Sequence, residues 1–247
     1  MRGSTLSQRV QAPDVCVANP SVLESQGGRL GLPTPGPDKL IVEDAYDQRY
    51  GIAHYRATAC RTPATVPVSS WRSVGNSYNG FFIESFIDEL AAQAGADPLQ
   101  MRPKLINQEP SRQVLATVAE VVEITTTKDG VKVDQVFVAA DVVTALDPPN
   151  IEAQMQSAVV FGLSAAMFGE ISFAKGAVEQ TNFHQYEAVR MLQAPKITVK
   201  VLESGAAIRG IGEPGTPPAA PALANAIFHA IGQRLRKLPL RKHIKFV

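Results

Sequence analysis

The chain is poor in the residues that announce common chemistries. It holds only two cysteines, Cys16 and Cys60, in 247 residues. They form no C-x-x-C pair and no cluster with histidine, which speaks against zinc or iron–sulfur ligation by this chain. A disulfide between them is one alternative; Cys60, in a strand-like run, reads rather as a buried thiol. Neither sign of charge is in excess, with 24 basic and 23 acidic side chains leaving a net +1. That balance argues against a nucleic-acid partner or an anionic membrane surface. The basic residues that gather in "RLRKLPLRKHIKF" read as a solvated tail or a subunit contact. No apolar run reaches the roughly 18 residues that a spanning helix needs. "MRGSTLSQRVQAPD" lacks the apolar centre of a signal peptide. The expected location is the cytoplasm, or the periplasm if a partner carries the export signal. Also missing are the G-x-S-x-G elbow of serine hydrolases and the lysine-bearing end of a phosphate loop.

What is present is enough apolar material for a sizeable core, 45% of the chain. Residues 1–45 are rich in Pro, Gly and Ser and read as an irregular segment; residues 46–247 read as the folded domain. "YGIAHYRATACR" has strand character. From Phe81 the apolar spacing becomes helical, with Phe82, Phe86 and Leu90 in one stripe and Ile83, Ile87 and Ala94 beside it. Phe81 and Phe82 are expected in the core. Gly95 ends that helix, and Asp97-Pro98 opens a short second one. "LATVAEVVEITTTKDGVKVDQVFVAADVV" holds two alternating runs about a Lys128-Asp129-Gly130 turn, the signature of a hairpin. Pro148 and Pro149 start a helix whose stripe is Ile151, Met155, Ala158, Val159 and Gly162. A small hairpin turns at Lys175-Gly176, and "KITVKVLES" is another strand. Thr216, Pro217 and Pro218 open a last helix that faces Leu223, Ile227 and Ile231 inward. Hairpins interleaved with helices predict an α+β fold, a mixed sheet packed with several helices.

Several polar residues stand where chemistry could be done. Glu213 lies in "GIGEPGTPP", between glycines that allow close approach of a ligand and before a helix whose N-terminus suits an anion. It reads either as a turn or cap residue or as a fixed, desolvated general base. Arg72, in "WRSVG", has the planar fork that grips a carboxylate or carbonyl, and the plain alternative is a surface ion pair. Gln154 is polar on a helix of small and apolar neighbours, and its amide could read a pterin or nucleotide edge or simply be satisfied in the interior. His184, alone between aromatics, reads as a hydrogen-bonded core residue. No metal-ligating set is evident.

Taken together, "WRSVGNSYNGFFIESFIDELAAQAGADPLQMR", "NIEAQMQSAVVFGLSAAMFGEISFAKGAVEQTNFHQYEAVRM" and "GIGEPGTPPAAPALANAIFHAIGQRLRKLPL" stand in the order of a known family. From about Tyr46 onward the chain resembles the C-terminal part of the molybdopterin-binding large subunit of the xanthine dehydrogenase/aldehyde oxidase family, in the manner of isoquinoline 1-oxidoreductase beta subunits. The resemblance implies a molybdopterin-binding-domain-like fold and a molybdenum hydroxylase that oxidises an aldehyde or hydroxylates an N-heterocycle with water-derived oxygen. It implies that Glu213 is the catalytic base. Arg72 and Val74 would line the substrate position; Gln154, Gly212 and Gly75 would face the cofactor, molybdopterin cytosine dinucleotide with molybdenum. Iron–sulfur clusters would reside in a partner small subunit, and the rest of the large subunit would come from a partner chain. Where the family commonly has Cys-Gly after an aspartate, Val142 and Val143 follow Asp141. The rival reading is a non-catalytic, truncated remnant that serves as a binding or assembly module.

Overall fold

A computed structural model describes residues 14–31, 36–118, 121–205 and 210–247. Strand β1 (Asp14–Asn19) pairs in parallel with β2 (Arg56–Arg61). Between them come helix α1 (Val22–Leu30) and a 3-10 turn at Lys39–Val42. Each of these short elements has its first free amides capped. The Ser21 hydroxyl accepts from the Glu24 amide at 3.0 Å, and the Asp38 carboxylate from the Leu40 amide at 3.0 Å. Ser21 also donates to Asp38 at 2.7 Å, so the two caps brace each other. This corrects the expected irregularity of residues 1–45 for its described part; residues 1–13 and 32–35 lie outside the described residues. The Pro and Gly content hid a strand and a helix whose stability comes from caps and from burial of Val17, Ile41 and Val42. Cys16 and Cys60 are joined in a disulfide, which corrects the thiol reading. The strand register sets Cys16 opposite Thr58 and Ala18 opposite Cys60, so the two cysteines are diagonal neighbours on one face.

Helix α2 (Asn76–Gln93) packs on this unit, followed by α3 (Pro98–Leu105) and α4 (Glu109–Val118). Its end is as expected, with Gly95 in the left-handed region at φ 64°. Its buried stripe is not. Ile83, Ile87 and Ala91 face the core beside Phe81, whereas Phe82, Phe86 and Leu90 are exposed. Both stripes are apolar, and only tertiary partners decide between them. Helix α4 is a second correction: Leu115–Val118 were read as strand, but the Glu109-Pro110 start carries the helix through them.

The second core surrounds a three-stranded sheet in the order β3-β4-β7. Strands β3 (Val121–Thr127) and β4 (Gly130–Asp141) form the expected hairpin. After α5 (Pro148–Met167) and the small hairpin of β5 (Phe173–Ala174) and β6 (Ala177–Val178), strand β7 (Lys196–Leu202) joins β4 in parallel. Helices α5 and α6 (Ala219–Ile231) cover the sheet with Met155, Val159, Leu163, Leu223 and Ile227. Ile231 is exposed, contrary to expectation. The basic C-terminal stretch is not a solvated tail. Leu235, Leu240 and Phe246 are buried, and the Val131 amide donates to the Lys245 carbonyl at 2.8 Å. The apolar residues between its cations hold it to β4. His184 is exposed in a 3-10 turn rather than in the core. Among the described residues no helix is long and apolar enough to cross a membrane.

The two cores share a small apolar contact of Phe81, Ala166, Ala220 and Ala224. Near it, α5 meets the approach to α6 backbone to backbone. A Cβ on Gly162 would lie 2.7 Å from both Ala219 Cβ and Thr216 O. Thr216, expected to cap α6, instead donates its hydroxyl to the Ala158 carbonyl at 3.3 Å. The clash at Gly162 is with backbone and cannot be relieved by a rotamer change. Gly162→Ala should therefore destabilise the protein by about 1–3 kcal/mol, read as a lowered urea midpoint with an unchanged m-value.

Candidate functional site

Three segments meet where the two cores join: residues 71–75 before α2, the first half of α5, and residues 210–216 before α6. The first is a strained turn. Ser73 and Val74 have φ of 67° and 43°, and the Val74 amide donates to Trp71 O at 2.9 Å. A left-handed non-glycine residue costs roughly 1–2 kcal/mol, so the surroundings must impose this conformation. Arg72 is one such restraint. Its Nε donates to Gly212 O at 2.8 Å, and Nη2 reaches the same carbonyl. Nη1 donates to Ser157 Oγ at 3.1 Å, and Nη2 approaches Gln154 O at 3.5 Å. The guanidinium carbon also lies 5.7 Å from the Phe161 ring centroid, within cation–π range. Arg72 thus fastens the turn to α5 and to the 210–216 segment, and among the described residues it makes no ion pair. Its use as a surface pair is corrected to a carbonyl latch.

Glu213 sits directly after the latched carbonyl. Its Oε1 accepts from the Ser73 amide at 3.2 Å, and its own carbonyl accepts from Ser73 Oγ at 2.8 Å. The amide that serves its carboxylate lies in the turn leading into α2, not at the start of the following α6. Glu213 is exposed within this chain, where a desolvated group was expected. Gln154 is half-buried, and a Cβ on Gly212 would meet only its Oε1, at 3.9 Å. Gly75 plays a different part: a Cβ there would fall 2.0 Å from Leu40 O. Its smallness serves the approach of this chain's own backbone. Val74 is half-buried and lies outside the adjoining cleft, a space of about 830 Å³ whose walls include Trp71, Ser157, Phe161 and Tyr186. Trp71 and Phe161 pack with ring centroids 5.0 Å apart.

Sequence reasoning missed Ser73 and Glu43. Ser73 gave no signal because serine rarely marks a left-handed turn. Glu43 lay in the segment read as irregular. Its neighbour Asp44 stands against α2 and the start of α6: a Cβ on Gly80 would lie 3.3 Å from Asp44 Oδ2 and from Pro217 Cβ. Burial, with the nearby charges of Glu84 and Asp47, pushes the Asp44 carboxyl up to about 6, against the opposing pull of Arg49.

These elements match the description "Molybdopterin cofactor-binding domain" over residues 63–195, more than half of the chain, and the chain belongs to that family. Among its curated relatives, it is 29% identical over 226 residues to the isoquinoline 1-oxidoreductase subunit beta of Brevundimonas diminuta, a match covering 78% of this chain and 29% of that protein. It is 27% identical to the membrane-bound aldehyde dehydrogenase [pyrroloquinoline-quinone] of Gluconacetobacter polyoxogenes, covering 79% of this chain and 32% of that one. The chain therefore spans about a third or less of the length of these relatives. Among solved structures, quinoline 2-oxidoreductase from Pseudomonas putida 86 aligns with a TM-score of 0.44 and 19% identity, over 50% of this chain and 18% of that chain. Arg72, Val74, Gly75 and Gln154 lie inside the matched residues, and Gly212 and Glu213 outside them.

The residues present fit a pterin. The side-chain amide of Gln154, able both to donate and to accept, makes no hydrogen bond among the described residues and borders the bare backbone at Gly212. An amide beside an accessible glycine suits the polar edge of a flat heterocycle.

The Asp44 environment yields a pH prediction. A folded-state value of about 6 lies above the ordinary 3.8, so the folded protein holds this proton more tightly than the unfolded chain. The resulting stability is fully present below about pH 4 and is lost as the pH rises through about 6. Asp44→Asn should raise the unfolding free energy at pH 7 by up to about 3 kcal/mol and change it little at pH 3, as measured by denaturant unfolding at both values.

Proposed function

We propose that this chain is one portion of the large subunit of a molybdenum hydroxylase, and that it oxidises an aldehyde or hydroxylates an N-heterocycle once a partner chain completes its site. The observation that carries this reading is the convergence of Arg72, Gln154, Gly212 and Glu213 from three separate segments. The cofactor, when bound, supplies the redox centre at which the substrate gives up two electrons. Its form in this reading is molybdopterin cytosine dinucleotide. Gln154 and the Gly212 backbone would hold its polar edge. Glu213 keeps Oε1 on the Ser73 amide, which leaves Oε2 to take a proton. Arg72 fixes the Gly212 carbonyl and with it the position of the base one residue on. Such a base contributes about 10²–10⁴ in rate.

The exposure of Glu213 supports the need for a partner, because a base works best shielded from water. So does the exposure of Phe82, Phe86, Phe183, Met191 and Leu192, the last three above 90%. Apolar surface on that scale favours cover by another polypeptide. In this reading the rest of the large subunit supplies that cover, and an iron–sulfur small subunit carries the electrons away. The Cys16–Cys60 disulfide supports the periplasmic alternative over the cytoplasmic one, since such bridges persist in oxidising compartments. The remnant reading is favoured by one observation: Val143 is held at φ 69°, a conformation suited to the glycine the family commonly places there.

The test is Glu213→Gln in the complex purified from the native host. We expect stoichiometric molybdenum retained and kcat/KM lowered by at least about 10². Wild-type complex without molybdenum or turnover would favour the remnant reading; undiminished turnover in the variant would overturn Glu213 as the base. In the same material, both cysteines should resist alkylation until a reductant is added; immediate alkylation would place the chain in the cytoplasm.

A further inference from the structure

Beyond the residues that the site itself recommends, one carboxylate stands on the far side of the strained turn. The Gly75 amide, the cap position of α2, donates to Glu43 Oε2 at 3.1 Å. The Ser73 amide, two residues earlier, donates to Glu213 Oε1 at 3.2 Å. One turn thus presents alternate amides to two carboxylates, at the positive end of an 18-residue helix. Helix α2 has no side-chain cap of its own, and Glu43 answers the amide of its cap residue, Gly75.

Glu43 is also the better anchored of the two. Its carbonyl accepts from Asn79 Nδ2 at 2.8 Å, and the same amide group donates to Ile41 O at 2.9 Å. Asn79 is fully buried on α2. Tyr78 Oη donates to Leu40 O and Ile41 O, both at 3.1 Å. The backbone before Glu43 is therefore fixed to α2 from below, and its carboxylate is fixed to the turn from above. Gly75 permits this because any Cβ would displace Leu40 O. Glu213, by contrast, hangs from an exposed segment. Burial pushes the Glu43 carboxyl up, the Gly75 amide opposes this, and the charges of Asp47, Asp38 and Glu213 add to the rise. The two carboxylates are thus close enough to feel each other.

We propose that Glu43 is a positioning residue for Glu213: by holding the Gly75 amide it locks the left-handed Ser73–Val74 turn, and the locked turn aims the Ser73 amide at the base. The role assigned to Glu213 rests on the functional reading above, but the positioning itself is a property of this chain alone. Without Glu43 the Gly75 amide loses its acceptor, the turn relaxes, and the Ser73 amide swings away from Glu213.

The experiment is amide hydrogen exchange and side-chain carboxyl NMR on the full chain, with Glu43→Ala and Glu43→Gln. The Glu213 carboxyl resonance is assigned by its loss in Glu213→Gln. In Glu43→Ala we expect exchange at Ser73 and Gly75 to quicken at least tenfold, the Glu213 resonance to shift, and amides of β4 and α5 to stay protected. Glu43→Gln keeps an acceptor oxygen and should fall between wild type and Glu43→Ala; it also serves if Glu43→Ala does not fold. Unchanged Ser73 exchange and an unmoved Glu213 resonance would overturn the proposal. So would an equal loss of protection throughout the fold in both variants, which would mark Glu43 as a general stabiliser. Failure of the functional reading shows elsewhere, as undiminished turnover in Glu213→Gln with these spectra unaffected.

Discussion

The Arg72 guanidinium is the tie on which the site depends. Hydrogen bonds from a charged donor contribute about 1.5–3 kcal/mol each, and this one group binds a carbonyl before α6 and a hydroxyl on α5 while leading into α2. Where the two cores meet, the buried apolar cluster is small, Phe81 and three alanines, with Trp71 packed on Phe161 beside it. Small side chains bring backbones close but bury little area, so polar ties must settle the angle at which the cores meet. A lysine could neutralise nothing here and would supply no fork; only the planar guanidinium reaches Gly212 and Ser157 together.

A second polar tie sits farther along α2. Asp88 accepts from Arg234 at 2.6 Å and lies 3.6 Å from Arg102, with all three side chains largely buried. Arg234 also lies 3.8 Å from the Phe228 ring centroid and bonds Asn225 Oδ1 at 2.6 Å. Buried pairs repay their desolvation only in part when a donor is left over; here Asn225 takes one donor and Phe228 covers the guanidinium face, while Arg234 Nε has no hydrogen-bond partner among the described residues. The pairing also explains why the C-terminal stretch folds back. Its cations alternate with Leu235, Leu240 and Phe246, and Arg234 has a fixed acceptor waiting on α2.

What was legible in the sequence was local. The Lys128-Asp129-Gly130 turn, the α5 stripe, Gly95 and the Asp97-Pro98 start each follow from residues within one turn or one alternation. What was not legible depended on distant partners. Phe82 and Ile83 are equally apolar, and only the placement of the 38–45 segment decides that Ile83 is buried. The Cys16–Cys60 bridge needed the parallel pairing of strands separated by a helix and a loop. Arg72, Gln154 and Glu213 were visible as candidates because glycine, proline or small residues surround them. Ser73 and Glu43 were not, since their contributions are a backbone amide and a contact across 32 residues.

Ser73 and Val74 are left-handed in the turn that leads into α2. Strain of this kind persists only where surrounding bonds over-determine the backbone. They do so here: Arg72 pulls the turn toward α5, Glu43 holds its far end, and Ser77 Oγ donates to both Arg72 O and Val74 O at 2.9 Å. A relaxed turn would satisfy its own amides internally. The strained one turns an amide outward, toward the carboxylate of Glu213. The conformational cost thus maintains a donor in fixed register with a candidate base, which is the condition for a proton to be taken without prior rearrangement of the protein.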